Sequence, residues 1–135
     1  MSTIVERFNK IKSNIDLIKP RKPVNIIAVS KTFPLDHIQP LIDFGHCHYG
    51  ENKVQEAVAK WSKIKKERNN LCLHMIGKLQ TNKVKFAVKV FDYIHSVDSE
   101  KLAKKIAQEE VKVNKKIKIF IQVNIGDENQ KSGIN

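Results

Sequence analysis

The feature that most constrains this chain is an alternation of two periods. Five short, nearly continuous apolar runs stand out: VNIIAVS at 24–30, CHYG at 47–50, LCLHMIG at 71–77, YIHSV at 93–97 and IKIFIQVNI at 117–125. Between them lie longer stretches whose apolar residues recur every three or four positions. A run that is apolar at successive positions reads as a strand covered on both faces, and a 3.6-residue spacing reads as a helix with one buried stripe. Strict alternation of the two specifies parallel strands joined by right-handed crossovers.

The helices follow from the same spacing. Ile4, Val5, Phe8, Ile11, Ile15 and Ile18 predict an amphipathic helix over 3–18, punctuated by Pro20 and Pro23. LDHIQPLIDF (35–44) predicts a second, with Asp36 as its cap and Gly45 as its stop. ENKVQEAVAKWSKIKKE (51–67) follows, with Val54, Ala57, Val58, Trp61 and Ile64 on one face. TNKVKFAVKVF (81–91) is a weaker helix because it is rich in β-branched residues. SEKLAKKIAQEEVKVNKK (99–116) is a long one, capped by Ser99, with Leu102, Ile106 and either Val111 or Val113 turned inward.

Two α/β architectures fit this order: an open doubly wound sheet and a (β/α)8 barrel. No GxGxxG follows the first strand, which weakens the dinucleotide-binding version. The fifth strand runs directly into a polar loop, GDENQKSGIN, with no helix to cover it. The chain is therefore expected to hold an N-terminal helix (3–18), βα units (24–125) and a terminal loop (126–135), the front part of a longer fold.

The formal net charge is +11, from 25 basic and 14 acidic residues. The lysines are spread along helices (Lys60, Lys63, Lys65 and Lys66; Lys101, Lys104 and Lys105) without interleaved aromatics, so they read as a solvated surface. A basic nucleic-acid-binding protein is the alternative. No apolar stretch approaches the roughly 20 residues of a membrane helix. The N-terminus carries Glu6 and Asp16 and lacks the apolar core of a secretory signal. Cys47 and Cys72 lie in apolar surroundings without CxxC spacing and read as free thiols. The expected location is cytoplasmic.

In parallel α/β folds the chemistry collects in loops at the C-terminal ends of strands. Those loops hold Ser30, Lys31 and Thr32; Gly50, Glu51 and Asn52; Gly77, Gln80 and Lys83; Ser96 and Asp98; Gln122 and Asn124; then Asp127, Lys131 and Ser132. The rim is rich in amides and lysines, with no metal-ligand spacing and no nucleophilic serine flanked by glycines. His74 and His95, on different strands, read as hydrogen-bonded structural histidines. Lys31 is unusual. At the exit of an apolar strand, burial would favour its neutral, nucleophilic amine, which condenses with carbonyl compounds. A lysine reaching from a strand end to solvent is the plainer reading.

Four motifs, AVSKTFP, HYGENKVQE, LHMIGKLQTNK and QVNIGDENQKSGI, resemble in order and spacing the pyridoxal phosphate homeostasis proteins (the YggS/PROSC type), single-domain relatives of the alanine racemase barrel. The resemblance runs from the first helix to the last residue. It implies a (β/α)8 TIM barrel with an N-terminal helix, of which this chain holds the first five strands. It implies that Lys31 holds pyridoxal 5′-phosphate as a Schiff base, with Asn52, His74, Gly77, Gln122 and Asn124 lining the pocket and Lys131 near it. It further implies a cofactor carrier without turnover that serves pyridoxal phosphate-dependent apoenzymes; a racemase- or decarboxylase-like enzyme is the competing reading. The family's phosphate-holding loops follow later strands that have no counterpart here. Weakened binding is therefore expected of this truncated length, together with open barrel edges that a partner chain would have to cover.

Overall fold

The structure, a computed structural model, describes residues 3–126 and 133–134. Helix α1 (Thr3–Ile18) is followed by β1 (Ala28–Val29), α2 (Leu35–Phe44), β2 (His48–Glu51), α3 (Val54–Glu67) and β3 (Cys72–Met75). A 3-10 turn over Thr81–Lys83 leads into α4 (Val84–Val90), β4 (Tyr93–Val97), α5 (Glu100–Lys112) and β5 (Lys118–Ile121). All neighbouring strands pair in parallel, and their spatial order is β1-β2-β3-β4-β5. That order never reverses. A doubly wound sheet reverses at its switch point, whereas winding in one direction places every right-handed crossover on the same side, as in a barrel. Consistently, α3 packs on α4 and α4 on α5.

The core lies between the sheet and this helical layer. On β2, Tyr49 and Glu51 meet Trp61 of α3: the Tyr49 and Trp61 rings are 4.9 Å apart, and the indole N–H donates to Glu51 at 3.1 Å. Leu73, Phe91 and Ile94 are sealed in the same layer. The alternate residues of the strands face the other, concave side, where Gly50 lies between the side chains of Ile27 and Ile76. Cys47 and Cys72 are free, half-buried thiols at the start of β2 and β3.

Several expectations are revised. The first strand is not seven residues long. Only Ala28 and Val29 pair, with β2 as their single neighbour, and Val29 is left exposed. Asp36 does not cap α2; the N-cap position is Pro34. Gly45 does end that helix, in the left-handed conformation at φ 112° that glycine tolerates. The Ser99 hydroxyl caps α5 by accepting from the Leu102 N–H at 3.1 Å. Val113 packs on the core and Val111 faces solvent. Residues of β5 are exposed on both faces, Phe120 and Ile121 among them, in keeping with a fifth strand that no following helix covers.

Candidate functional site

The C-terminal ends of the strands form one continuous rim. The β1 exit is tied to β2 by the Ser30 N–H, which donates to the Gly50 carbonyl at 3.0 Å, and by the Ser30 hydroxyl, which bonds the Glu51 carboxylate. Glu51 is completely buried, on the helix side of β2. Besides Ser30 and Trp61 it holds the Lys60 ammonium at 2.9 Å, and that ammonium donates onward to the Ser30 carbonyl at 2.6 Å. On the other side of Lys31, Thr32 adopts φ 69°, and its N–H donates to the Glu56 carboxylate at 2.7 Å. Residues 30 and 32 are thus both fixed to the β2–α3 unit, and the backbone that carries Lys31 is held between them.

Lys31 itself is exposed. The desolvation expected of a lysine in an apolar wall is not supplied by the described residues, because β1 lies at the sheet edge with Val29 open beside it.

The rim continues from β2 to β3 through a close approach of Asn52 and Gly77. A Cβ on Gly77 would stand 2.7 Å from the Asn52 carbonyl oxygen, so only glycine fits. The Gly77 carbonyl accepts from the Ser96 hydroxyl at 2.6 Å, which brings in β4. The Asn52 side-chain oxygen is buried without a hydrogen-bond partner among the described residues. From β4 the rim reaches Gln122, whose N–H donates to the Val97 carbonyl at 2.7 Å. Asn124 is bound through its N–H to Ile134 at 2.9 Å, and the Ile134 N–H returns to Gln122 at 2.7 Å. Beside Asn52 a cleft of about 440 Å³ opens between the β2 and β3 loops, with Lys53, Lys78 and Lys83 along it.

Of the residues proposed from sequence, Asn52 and Gly77 are in contact, and Lys31, Gln122 and Asn124 occupy strand exits of the same rim. Lys131 lies outside the described residues. His74 is not on the rim. It is buried within the concave face, its ring nitrogens within hydrogen-bonding distance of His48 and His95. Lys60, assigned to a solvated helix face, is instead buried against Glu51. Its spacing along α3 matches that of its exposed neighbours, and only the approach of β2 separates it from them.

With this geometry in hand, the kinship of the chain is clear. Residues 7–135 match the family model of the alanine racemase N-terminal domain. This chain belongs to the alanine racemase N-terminal domain family. It is 35% identical over 137 residues to the pyridoxal phosphate homeostasis protein of Pasteurella multocida (strain Pm70), an alignment covering 98% of this chain and 59% of that protein. It is 33% identical over 140 residues to the protein of the same name from Escherichia coli (strain K12), covering 99% of this chain and 60% of the other.

Among solved structures it superposes on PipY, the COG0325 family member of Synechococcus elongatus PCC7942, both without and with pyridoxal phosphate (PLP) bound. The TM-scores are 0.85 and 0.82 at 36% identity, over 98% of this chain and 59% and 58% of those chains. An alanine racemase of Clostridium difficile 630, at 14% identity and a TM-score of 0.65, shares the fold. The five-stranded parallel sheet with its helices is thus part of a barrel-type fold. This family member spans about 59% of the length of the Pasteurella relative.

The residues present suit the aldehyde end of pyridoxal phosphate. A primary amine stands exposed at a fixed strand exit, and an unsatisfied amide oxygen lies on the neighbouring loop.

Proposed function

We propose that this chain is the lysine-bearing part of a pyridoxal 5′-phosphate-binding protein of intracellular cofactor homeostasis. The observation that carries the reading is the superposition of nearly the whole chain on PipY with pyridoxal phosphate bound, together with the fixed presentation of Lys31 at the first strand exit. When bound, the cofactor supplies an aldehyde that reacts with primary amines. Lys31 provides that amine, Asn52 and Gly77 shape the adjoining wall, and Gln122 and Asn124 close the rim at β5. Lys131 belongs to the same proposal through the family motif.

In this reading the protein holds and delivers the cofactor in the cytoplasm to pyridoxal phosphate-dependent apoenzymes and does not turn over a substrate. An anchored phosphate adds charge-assisted hydrogen bonds that an aldehyde–amine contact lacks, so the 135-residue chain by itself binds weakly. Further polypeptide, covering the open edges at β1 and β5, restores affinity.

The test is to add pyridoxal phosphate to the purified chain, reduce with borohydride and map the adduct by peptide mass. A dominant adduct at Lys31, lost in Lys31→Ala, is the expected result. Adducts spread evenly over the surface lysines would refute a selective site in this chain.

A further inference from the structure

The concave face of the sheet carries a row of imidazoles, of which the family resemblance assigns only His74 to the cofactor pocket. His48 Nδ1 lies 3.0 Å from His74 Nε2, and His74 Nδ1 lies 2.9 Å from His95 Nε2. The strand register explains why the three rings line up. His48 pairs with Cys72 and His74 stands two residues beyond Cys72; His74 pairs with Tyr93 and His95 stands two residues beyond Tyr93. Each step keeps to the same face and advances one dipeptide, the diagonal neighbour relation of paired strands. The row therefore climbs from the start of β2 toward the exit of β4.

We propose that His48, His74 and His95 form a proton relay across the concave face, connecting the start of β2 with the middle of β4. A neutral imidazole has one N–H and one bare nitrogen. Both contacts can be hydrogen bonds only if all three rings share one polarity. With every proton on Nδ1, His48 donates to His74 and His74 donates to His95. A proton arriving at His48 Nε2 releases the His48 Nδ1 proton to His74 Nε2. His74 then passes its Nδ1 proton to His95 Nε2, and His95 gives up its own from Nδ1. One proton enters, one leaves, and the chain ends neutral with every proton on Nε2, donating in the opposite sense through the same two contacts. No ring has to move, and a proton travelling the other way resets the row. The outer nitrogens, His48 Nε2 and His95 Nδ1, have no hydrogen-bond partner among the described residues, which leaves both ends open to exchange.

The surroundings suit transfer better than storage. Tyr93 stacks on His74 with centroids 4.3 Å apart and planes 9° apart, and Phe120 stacks on His95 at 4.7 Å. Burial, followed by the charges of His95 and His48, lowers the pKa of His74 to about 4, so the middle ring passes a proton without retaining it. The titratable and charged groups around the row are few. Cys72 lies opposite His48, and His46 has its ring 6.4 Å from that of His48. The Lys118 ammonium lies over the Tyr93 ring, 5.3 Å from its centroid. Asp92 favours the charged form of His74 and Lys65 opposes it; Asp92 is itself paired with Lys65 and Lys115. No carboxylate contacts any of the three rings among the described residues, so none pins the proton. Both nitrogens of His74 are engaged by other imidazoles, which leaves no common centre for a metal.

Histidine side-chain 15N NMR of the chain without cofactor, between pH 8 and pH 4, tests the relay independently of any pyridoxal phosphate site. The expected result is one tautomer, or one exchange average, common to all three rings. His48→Phe, which does not touch His95, should move the His95 midpoint by about one pH unit through the chain. His74→Phe should move the His95 midpoint as well. Opposed tautomers in neighbouring rings, or a His95 midpoint indifferent to both substitutions, would overturn the proposal. Amide spectra establish that each variant is folded, and either substitution alone decides the matter.

Discussion

At the residue scale, the position that most repays attention is Glu51. It lies in the same motif as Asn52, yet it points the other way, into the helix layer, where Ser30, Lys60 and Trp61 surround it. Removing one partner of a buried ion pair leaves the other charge uncompensated, at a cost of about 3–5 kcal/mol. Glu51→Gln keeps the shape and an acceptor for the Trp61 N–H but leaves the Lys60 ammonium only the more distant Glu56 carboxylate, at 3.8 Å, as a counter-charge. Urea denaturation should show destabilisation on that order, and Glu51→Gln combined with Lys60→Met should recover part of it. A Glu51→Gln variant as stable as the parent would mean that the cluster is not energetically coupled. Because Lys60 also bonds the Ser30 carbonyl, the same change should slow adduct formation at Lys31 through the backbone that presents it.

At the element scale, the site depends on how closely strand exits approach one another. The β2 and β3 loops meet at Asn52 and Gly77 with no room for a methyl group. Gly77→Ala forces the Asn52 backbone away, an overpacking cost of about 1–3 kcal/mol. Thermal denaturation should report that loss, and pyridoxal phosphate trapping at Lys31 should fall while β-sheet content is kept. Unchanged stability would show that the loops separate freely and that the Gly77–Asn52 contact does not shape the wall. The histidine row is the same principle on the concave face, where an interaction absent from each strand is created by their register.

At the scale of the whole molecule, the uneven covering of the sheet dominates. The convex side is sealed by α3, α4 and α5, whereas β5 exposes Ile119, Phe120 and Ile121 and, among the described residues, offers an unpaired edge. Exposed apolar edge strands template association, and charge on the edge suppresses it. Sedimentation of the purified chain should show concentration-dependent self-association that Ile121→Lys reduces. A monodisperse monomer across the accessible concentration range would contradict this. Among the described residues no helix is long and apolar enough to cross a membrane, so the exposed surface is not read as a transmembrane helix.

Local sequence determined the elements. Apolar runs and 3.6-residue spacing are decided by neighbours along the chain, and so the five strands, the Gly45 stop and the Ser99 cap were legible in it. So were the strand exits, which is why Lys31, Asn52 and Gly77 fall on one rim. Tertiary structure decided what depends on residues distant in sequence. The exposure of Lys31 follows from the open edge at β1. The burial of Lys60 requires β2 beneath α3. Forty-six residues of chain separate His48 from His95, and only the stagger of parallel strands places them at the two ends of one row. A sequence pattern records which face a side chain turns to, whereas register decides which side chains meet there.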